Sequence, residues 1–67
     1  METITYAVDG AVATLTLNRP QVRNAMNGRM IEELRQTLEA VNLDTAVRVV
    51  VLRGEGSVFC AGGDLRD

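Results

Sequence analysis

The first part of the chain alternates between apolar and polar positions in a way that predicts two β-strands. Two stretches, residues 3–8 and 11–17, show the period of two that is typical of half-buried strands. Their apolar faces are Ile4, Tyr6 and Val8 in the first stretch and Ala13, Leu15 and Leu17 in the second. Asp9-Gly10 stands between them and favours a type I′ turn, which requires positive φ. We therefore expect the chain to open with a β-hairpin.

Residues 28–41 change to helical spacing, and this pattern predicts an amphipathic α-helix. The apolar positions of that helix are Met30, Ile31, Leu34, Leu38 and Val41, and the outward positions are Glu32, Glu33, Arg35, Gln36 and Glu39. Asn24 or Asn27 is a candidate N-cap, because an asparagine oxygen accepts from the first helical amides. Asn42 indicates the end of the helix near Leu43-Asp44.

Residues 47–52 form a nearly continuous run of β-branched and aliphatic side chains. Such a run is typical of a strand that is buried on both faces of a parallel sheet. Because the helix separates this run from the hairpin, we expect a strand–helix–strand crossover.

The last stretch carries the candidate chemistry. Residues 58–61 are apolar and predict a short strand, which leads into Gly62-Gly63 and then Asp64, a candidate helix cap. Adjacent glycines let a ligand approach the main chain, and unpaired amides there can bind negative charge. The alternative is that Gly62-Gly63 is only a tight turn before a helix.

Composition excludes several kinds of site. The 67 residues form one predicted domain, 1–67, with no histidine, a single cysteine and a net charge of −2. The usual imidazole base, an internal disulfide and a metal site are therefore not expected, and the charge gives no support to nucleic-acid binding. Cys60 is interpreted as inert packing. Since neither a signal peptide nor a membrane-spanning run is visible, we expect a cytoplasmic protein.

Two segments together resemble a known family. Asn18-Arg19-Pro20-Gln21-Val22-Arg23-Asn24-Ala25-Met26 and Val58-Phe59-Cys60-Ala61-Gly62-Gly63-Asp64-Leu65 are similar to the N-terminal part of the enoyl-CoA hydratase/isomerase (crotonase) superfamily. The resemblance covers essentially the whole chain. It implies an α/β, crotonase-like (ClpP/crotonase) ββαβ piece: a hairpin, a crossover helix, a buried parallel strand, and a short strand into a Gly-Gly oxyanion turn.

The resemblance also implies roles for individual residues. The backbone N–H of Gly63 would be one of two oxyanion-hole donors to an acyl-CoA thioester. The residues that would lie along the bound coenzyme A are Val22, Arg23, Ala61, Gly62, Gly63, Asp64 and Leu65. Coenzyme A would be part of the substrate, so no separate cofactor is expected. Family members are commonly trimers or hexamers, and the resemblance implies a homo-oligomer here.

Two functions of different classes stay open at this point. The first is an enzyme that adds water to a 2-enoyl-CoA, with enoyl-CoA isomerase and acyl-CoA hydrolase as alternatives within the family. The second is a truncated, non-catalytic fragment that folds with a partner segment or by self-association, because the family's second amide and acidic residues lie further along its chain. A chain of this size has only a marginal core by itself.

Overall fold

The computed structural model describes residues 2–64, which form a three-stranded sheet with one long helix. The elements in chain order are β1 (Ile4–Asp9), β2 (Val12–Leu17), a 3-10 turn (Pro20–Val22), α1 (Gly28–Leu43) and β3 (Val49–Gly54). The strand order is β1-β2-β3, with β1 and β2 antiparallel and β2 and β3 parallel. The predicted hairpin, crossover helix and parallel strand are therefore confirmed.

The turn of the hairpin lies one residue later than predicted. Asp9 is still in β1 and pairs with Val12, so Gly10 and Ala11 are the two central residues. Gly10 has a φ of 61°, whereas Ala11 has no positive φ. This combination is that of a type II′ turn, in which glycine takes the first central position, and the predicted type I′ turn was wrong.

Helix α1 begins where the sequence predicted, but it buries a different face. The Asn27 side chain accepts from the Met30 amide at 2.9 Å, which selects Asn27 and not Asn24 as the N-cap. Ile31 and Leu38, predicted to be buried, are 56% and 48% exposed. Glu33, predicted to face outward, is buried together with Thr37. The buried face of α1 therefore coincides only partly with the apolar face that the sequence predicted.

The burial of Glu33 is explained by its hydrogen bonds to the N-terminal residues. Its carboxylate accepts from the Thr3 amide at 2.9 Å, from the Thr3 hydroxyl at 2.8 Å and from the Glu2 amide at 3.3 Å. Burial alone would raise the pKa of Glu33, but these hydrogen bonds outweigh it and hold the pKa below its ordinary value. Glu33 therefore attaches α1 to the start of β1.

The core lies between α1 and the hairpin. Its fully buried members are Ile4, Leu15, Leu17 and Met30, with Tyr6, Met26, Leu34 and Cys60 packed against them. Cys60 is thus a packing residue, as predicted. No buried side-chain nitrogen or oxygen within residues 2–64 lacks a hydrogen-bond partner.

Strand β3 is exposed, which corrects the prediction of a strand buried on both faces. The side chains of Val49, Val50, Val51 and Leu52 are between 41% and 52% exposed. The physical reason is that α1 packs against β1, while β3 is at the edge of the sheet. The predicted short strand at residues 58–61 is also wrong, because those residues are irregular. Within the described part of the chain, no helix is long and apolar enough to cross a membrane.

Replacing the buried carboxylate should make stability less dependent on pH. Glu33→Gln is expected to lower the free energy of unfolding at pH 7 by about 1–3 kcal/mol, because charge-assisted hydrogen bonds are lost. The wild-type contribution is present above the ordinary pKa of 4.5 and is lost as the pH falls through the lowered folded-state pKa. Urea unfolding at pH 7 and at low pH measures both effects.

A matched control is Glu39→Gln, since Glu39 lies on the exposed side of the same helix. It should change stability by less than about 0.5 kcal/mol. Equal stability of Glu33→Gln and wild type at both pH values would contradict the assigned role of Glu33.

Candidate functional site

Two irregular segments, residues 18–27 and 55–64, are held side by side by main-chain hydrogen bonds. The Ala61 amide donates to the Arg23 carbonyl at 3.0 Å, and the Met26 amide donates to the Gly62 carbonyl at 2.8 Å. The Asp64 amide in turn donates to the Met26 carbonyl at 2.8 Å. The two segments that are far apart in sequence and that carry the motifs are therefore adjacent in space.

This pairing determines the direction of the Gly63 amide. Met26 and Gly63 form an isolated parallel bridge, in which the peptide groups on either side of Gly63 point towards Met26. The N–H of Gly63 itself therefore points away from Met26. No hydrogen bond among residues 2–64 engages it, and a Cβ added at Gly63 would meet nothing within 4 Å. Gly63 thus presents an unpaired backbone donor at an exposed position.

The side chain of Asn24 holds the two segments together from inside. Asn24 is 0% exposed and has a φ of 58°, a left-handed conformation that asparagine tolerates better than most residues. Its carbonyl oxygen accepts from the Arg19 amide at 2.7 Å. Its amide nitrogen donates to the Glu55 and Val58 carbonyls, both at 2.8 Å. One buried side chain therefore satisfies three main-chain groups from both segments.

Arg19 and Asp64 form a second link between the segments. The Arg19 guanidinium donates to the Asp64 carboxylate at 3.3 Å and to the Ala25 carbonyl at 2.5 Å. The side chains of this ion pair are only 12% and 7% exposed. The Asp64 carboxylate pairs with Arg19, while the Asp64 amide donates to the Met26 carbonyl.

The other predicted site residues lie around the same junction. Val22 is half-buried, whereas Arg23 is exposed and adopts a φ of 55°. Ala61 and Gly62 are exposed, and the Gly62 amide donates to the Cys60 sulfur at 3.4 Å. Leu65 lies outside the described residues, as does any helix that Asp64 would cap. The structure therefore brings together the members that it describes.

Sequence reasoning missed Arg19 and Asn24 as parts of this site. Asn24 was quoted in the family motif, but the only role considered for it was that of a helix cap, although asparagine also accepts positive φ and bonds main-chain groups. For Arg19, no local pattern indicated a partner 45 residues away.

A separate open groove of about 480 Å³ runs along α1 and is lined by Arg29, Glu32, Glu33 and Gln36. Its charges are already engaged, because Glu32 pairs with Arg35, and the hydrogen bond from Arg35 lowers the pKa of Glu32. Among residues 2–64, no group of three or more potential metal ligands comes together. We therefore place the candidate site at Gly63 and not on the helix.

Comparison with known proteins identifies the family. A family model described as enoyl-CoA hydratase/isomerase matches residues 7–67. The chain belongs to the enoyl-CoA hydratase/isomerase family. This confirms the resemblance drawn from the two motifs.

Relatives within this family match nearly all of the chain. It is 45% identical over 67 residues to the 1,2-epoxyphenylacetyl-CoA isomerase of Escherichia coli, covering 100% of this chain and 26% of that protein. It is 44% identical over 62 residues to the trans-2-decenoyl-(acyl-carrier-protein) isomerase of Streptococcus mutans, covering 92% of this chain and 24% of that protein. The chain therefore spans about a quarter of the length of these relatives.

The fold matches as well as the sequence. An enoyl-CoA hydratase/isomerase structure from Mycobacterium paratuberculosis superimposes with a TM-score of 0.93 at 45% identity, covering 96% of this chain and 25% of that one. The crotonase-like ββαβ arrangement predicted from the sequence is therefore confirmed.

Removal of the Asn24 side chain should loosen the junction of the two segments. Asn24→Ala is expected to lower the free energy of unfolding by about 1–3 kcal/mol, because buried main-chain groups lose their partners. Asn24→Gly loses the same hydrogen bonds but accepts positive φ without strain, so it should lower the free energy of unfolding by less than Asn24→Ala. The difference between the two variants measures the cost of placing alanine at positive φ. Chemical denaturation measures both values.

Asn18→Ala serves as the control, because Asn18 is exposed in the same loop. It should alter stability by less than about 0.5 kcal/mol. An Asn24→Ala protein as stable as Asn18→Ala would refute the role of Asn24 in holding the two segments together.

Proposed function

We propose that the Gly63 N–H is one of two donors that stabilise the oxyanion of a CoA thioester during addition of water to a 2-enoyl-CoA. Attack of water at the β-carbon of such a thioester moves negative charge onto the carbonyl oxygen. A donor that already faces that oxygen lowers the barrier, because it does not have to reorganise during the reaction. The proposed activity is that of an enoyl-CoA hydratase.

One observation carries this proposal: the Gly63 amide is unpaired among residues 2–64, exposed, and held in direction by the hydrogen bonds of both its neighbours. A backbone donor needs access rather than a particular side chain, and glycine gives that access. Membership of the enoyl-CoA hydratase/isomerase family supports a thioester as the ligand.

The coenzyme A part of the substrate is proposed to run along the same junction. Val22 and Arg23 would form one side, and the main chain of residues 61–65 would form the other. Arg23 is exposed and carries a positive charge, so it suits one of the phosphates of coenzyme A. Since coenzyme A arrives with the acyl group, no further cofactor is included in the proposal.

An isomerase is the second candidate, because two of the similar relatives are isomerases. The Escherichia coli and Streptococcus mutans relatives are both named isomerases. Isomerisation of an enoyl thioester passes through the same type of charged oxygen, so Gly63 would have the same role. Product analysis with crotonyl-CoA and with a 3-enoyl-CoA distinguishes the reactions, because hydration adds one water to the acyl chain, whereas isomerisation only moves the double bond.

The fragment hypothesis is tested by the same assay. A chain that neither turns over nor binds acyl-CoA, and that associates on size-exclusion chromatography, would support the hypothesis of a non-catalytic fragment. An assembly of three or six copies, which the resemblance implies, stays a prediction.

The role of the Gly63 amide can be tested by a pair of substitutions. Gly63→Pro removes the N–H and should lower kcat by about 10²- to 10³-fold, the typical cost of losing one oxyanion donor. Gly63→Ala keeps the N–H and places its methyl group where nothing lies within 4 Å, so it should retain most activity. Steady-state kinetics with crotonyl-CoA measures both. Equal activity of the two variants would disprove the donor role.

The role of Arg23 predicts a change in affinity and not in the chemical step. Arg23→Ala should weaken coenzyme A binding by up to about five-fold at low salt, a size typical of an exposed ion pair. The difference should shrink as salt is added, because screening weakens exposed charge pairs.

Arg48→Ala is the matched control, because Arg48 is also exposed but precedes β3, at the end of the sheet opposite to the glycines. Calorimetric titration with coenzyme A measures both affinities. Unchanged binding by Arg23→Ala would remove Arg23 from the proposed site.

A further inference from the structure

We infer that the ion pair between Arg19 and Asp64 is a positioning device, which keeps the Gly63 N–H aimed at the thioester oxygen. This inference rests on the proposed function, because it assigns a purpose to that amide. Neither side chain is proposed to touch the substrate.

The need for such a device follows from the two glycines. Gly62 has a φ of 101°, and added Cβ atoms at Gly62 and Gly63 would meet nothing within 4 Å. No side-chain packing at these two residues therefore limits their backbone rotation, and glycine has more rotational freedom than any other residue. A donor contributes fully to a transition state only when its direction is already set. The direction must therefore come from the residues that flank the glycines.

Arg19 connects the two flanks. Its guanidinium bonds the Ala25 carbonyl, which directly precedes the Met26 pairing, and the Asp64 carboxylate, which directly follows Gly63. One planar group with several donors can hold both in a fixed relation, which a lysine ammonium does less well. The Arg19 side chain thus links the two residues that flank the Met26–Gly63 bridge, Ala25 and Asp64.

Burial makes this ion pair different from the others on the chain. Arg29 and Glu2 also lie 3.3 Å apart, but their side chains are 59% and 71% exposed. Arg19 and Asp64 are 12% and 7% exposed, so water screens their attraction much less. An exposed ion pair restricts the motion of its side chains only weakly. A nearly buried pair with a second hydrogen bond restricts the motion of both side chains more strongly.

The test observes the Gly63 amide directly. Labelling with ¹⁵N-glycine gives one signal for each of the six glycines, and the Gly63→Ala protein assigns the signal of Gly63. Acetoacetyl-CoA serves as the probe, because its delocalised enolate resembles the charged intermediate. The variants are Asp64→Asn, which removes the charge at constant size, and Arg19→Lys, which retains charge but not the two-point contact.

Two controls separate positioning from general stability. Glu33→Gln removes a buried carboxylate elsewhere and should lower stability without moving the Gly63 signal or the affinity for acetoacetyl-CoA. Glu2→Gln breaks the exposed pair of equal length and should change neither. Arg19→Lys keeps the protein testable where Asp64→Asn does not fold.

We expect the Gly63 signal to broaden or split in Asp64→Asn and in Arg19→Lys, with affinity for acetoacetyl-CoA falling by up to about 100-fold. A Gly63 signal and an affinity unchanged from wild type in both variants would overturn the inference. A different result would contradict the proposed function: acetoacetyl-CoA would leave the Gly63 signal of the wild-type protein unshifted. In that case, a split Gly63 signal in the variants would still support the positioning role.

Discussion

The burial of one asparagine side chain is the constraint on which the rest of the site depends. Asn24 bonds three main-chain groups that belong to two segments about 30 residues apart. A loop without regular structure must satisfy its polar groups in some other way, and here a side chain replaces the missing ladder. Once these bonds are formed, residues 61–64 lie beside residues 23–26, and the Met26–Gly63 bridge can close.

In the proposed site, the reactive group belongs to the main chain, and side chains hold it in position. Gly63 offers only its amide, and Asn24, Arg19 and Asp64 are occupied with one another or with backbone groups. Such a donor stabilises charge on an oxygen whatever acid or base acts on the rest of the substrate. On the proposed function, relatives named hydratases and isomerases can therefore share the segment.

The periodicity of apolar residues predicts helix α1 but not which of its faces is buried. Residues 28–43 have an apolar spacing that correctly predicts a helix and its N-cap region. The buried face nevertheless contains Glu33 and leaves Ile31 and Leu38 exposed. Hydropathy cannot anticipate this, because Glu33 is buried by partners at residues 2 and 3, which are 31 and 30 positions away. The exposure of β3 has a related origin, since α1 covers the hairpin side of the sheet.

The sequence by itself determined the hairpin, the crossover helix, the parallel strand and the family, because these depend on local periodicity and on two contiguous motifs. It also indicated the Gly62-Gly63 segment, since adjacent glycines are visible without a structure, and the family resemblance implied Gly63 as the donor. Only the tertiary structure decided which amide is left unpaired, why Asn24 is buried, and that the Asp64 carboxylate pairs with Arg19. The physical reason is that these properties are contacts between residues distant in sequence, and the direction of an N–H is set by partners that no local pattern contains.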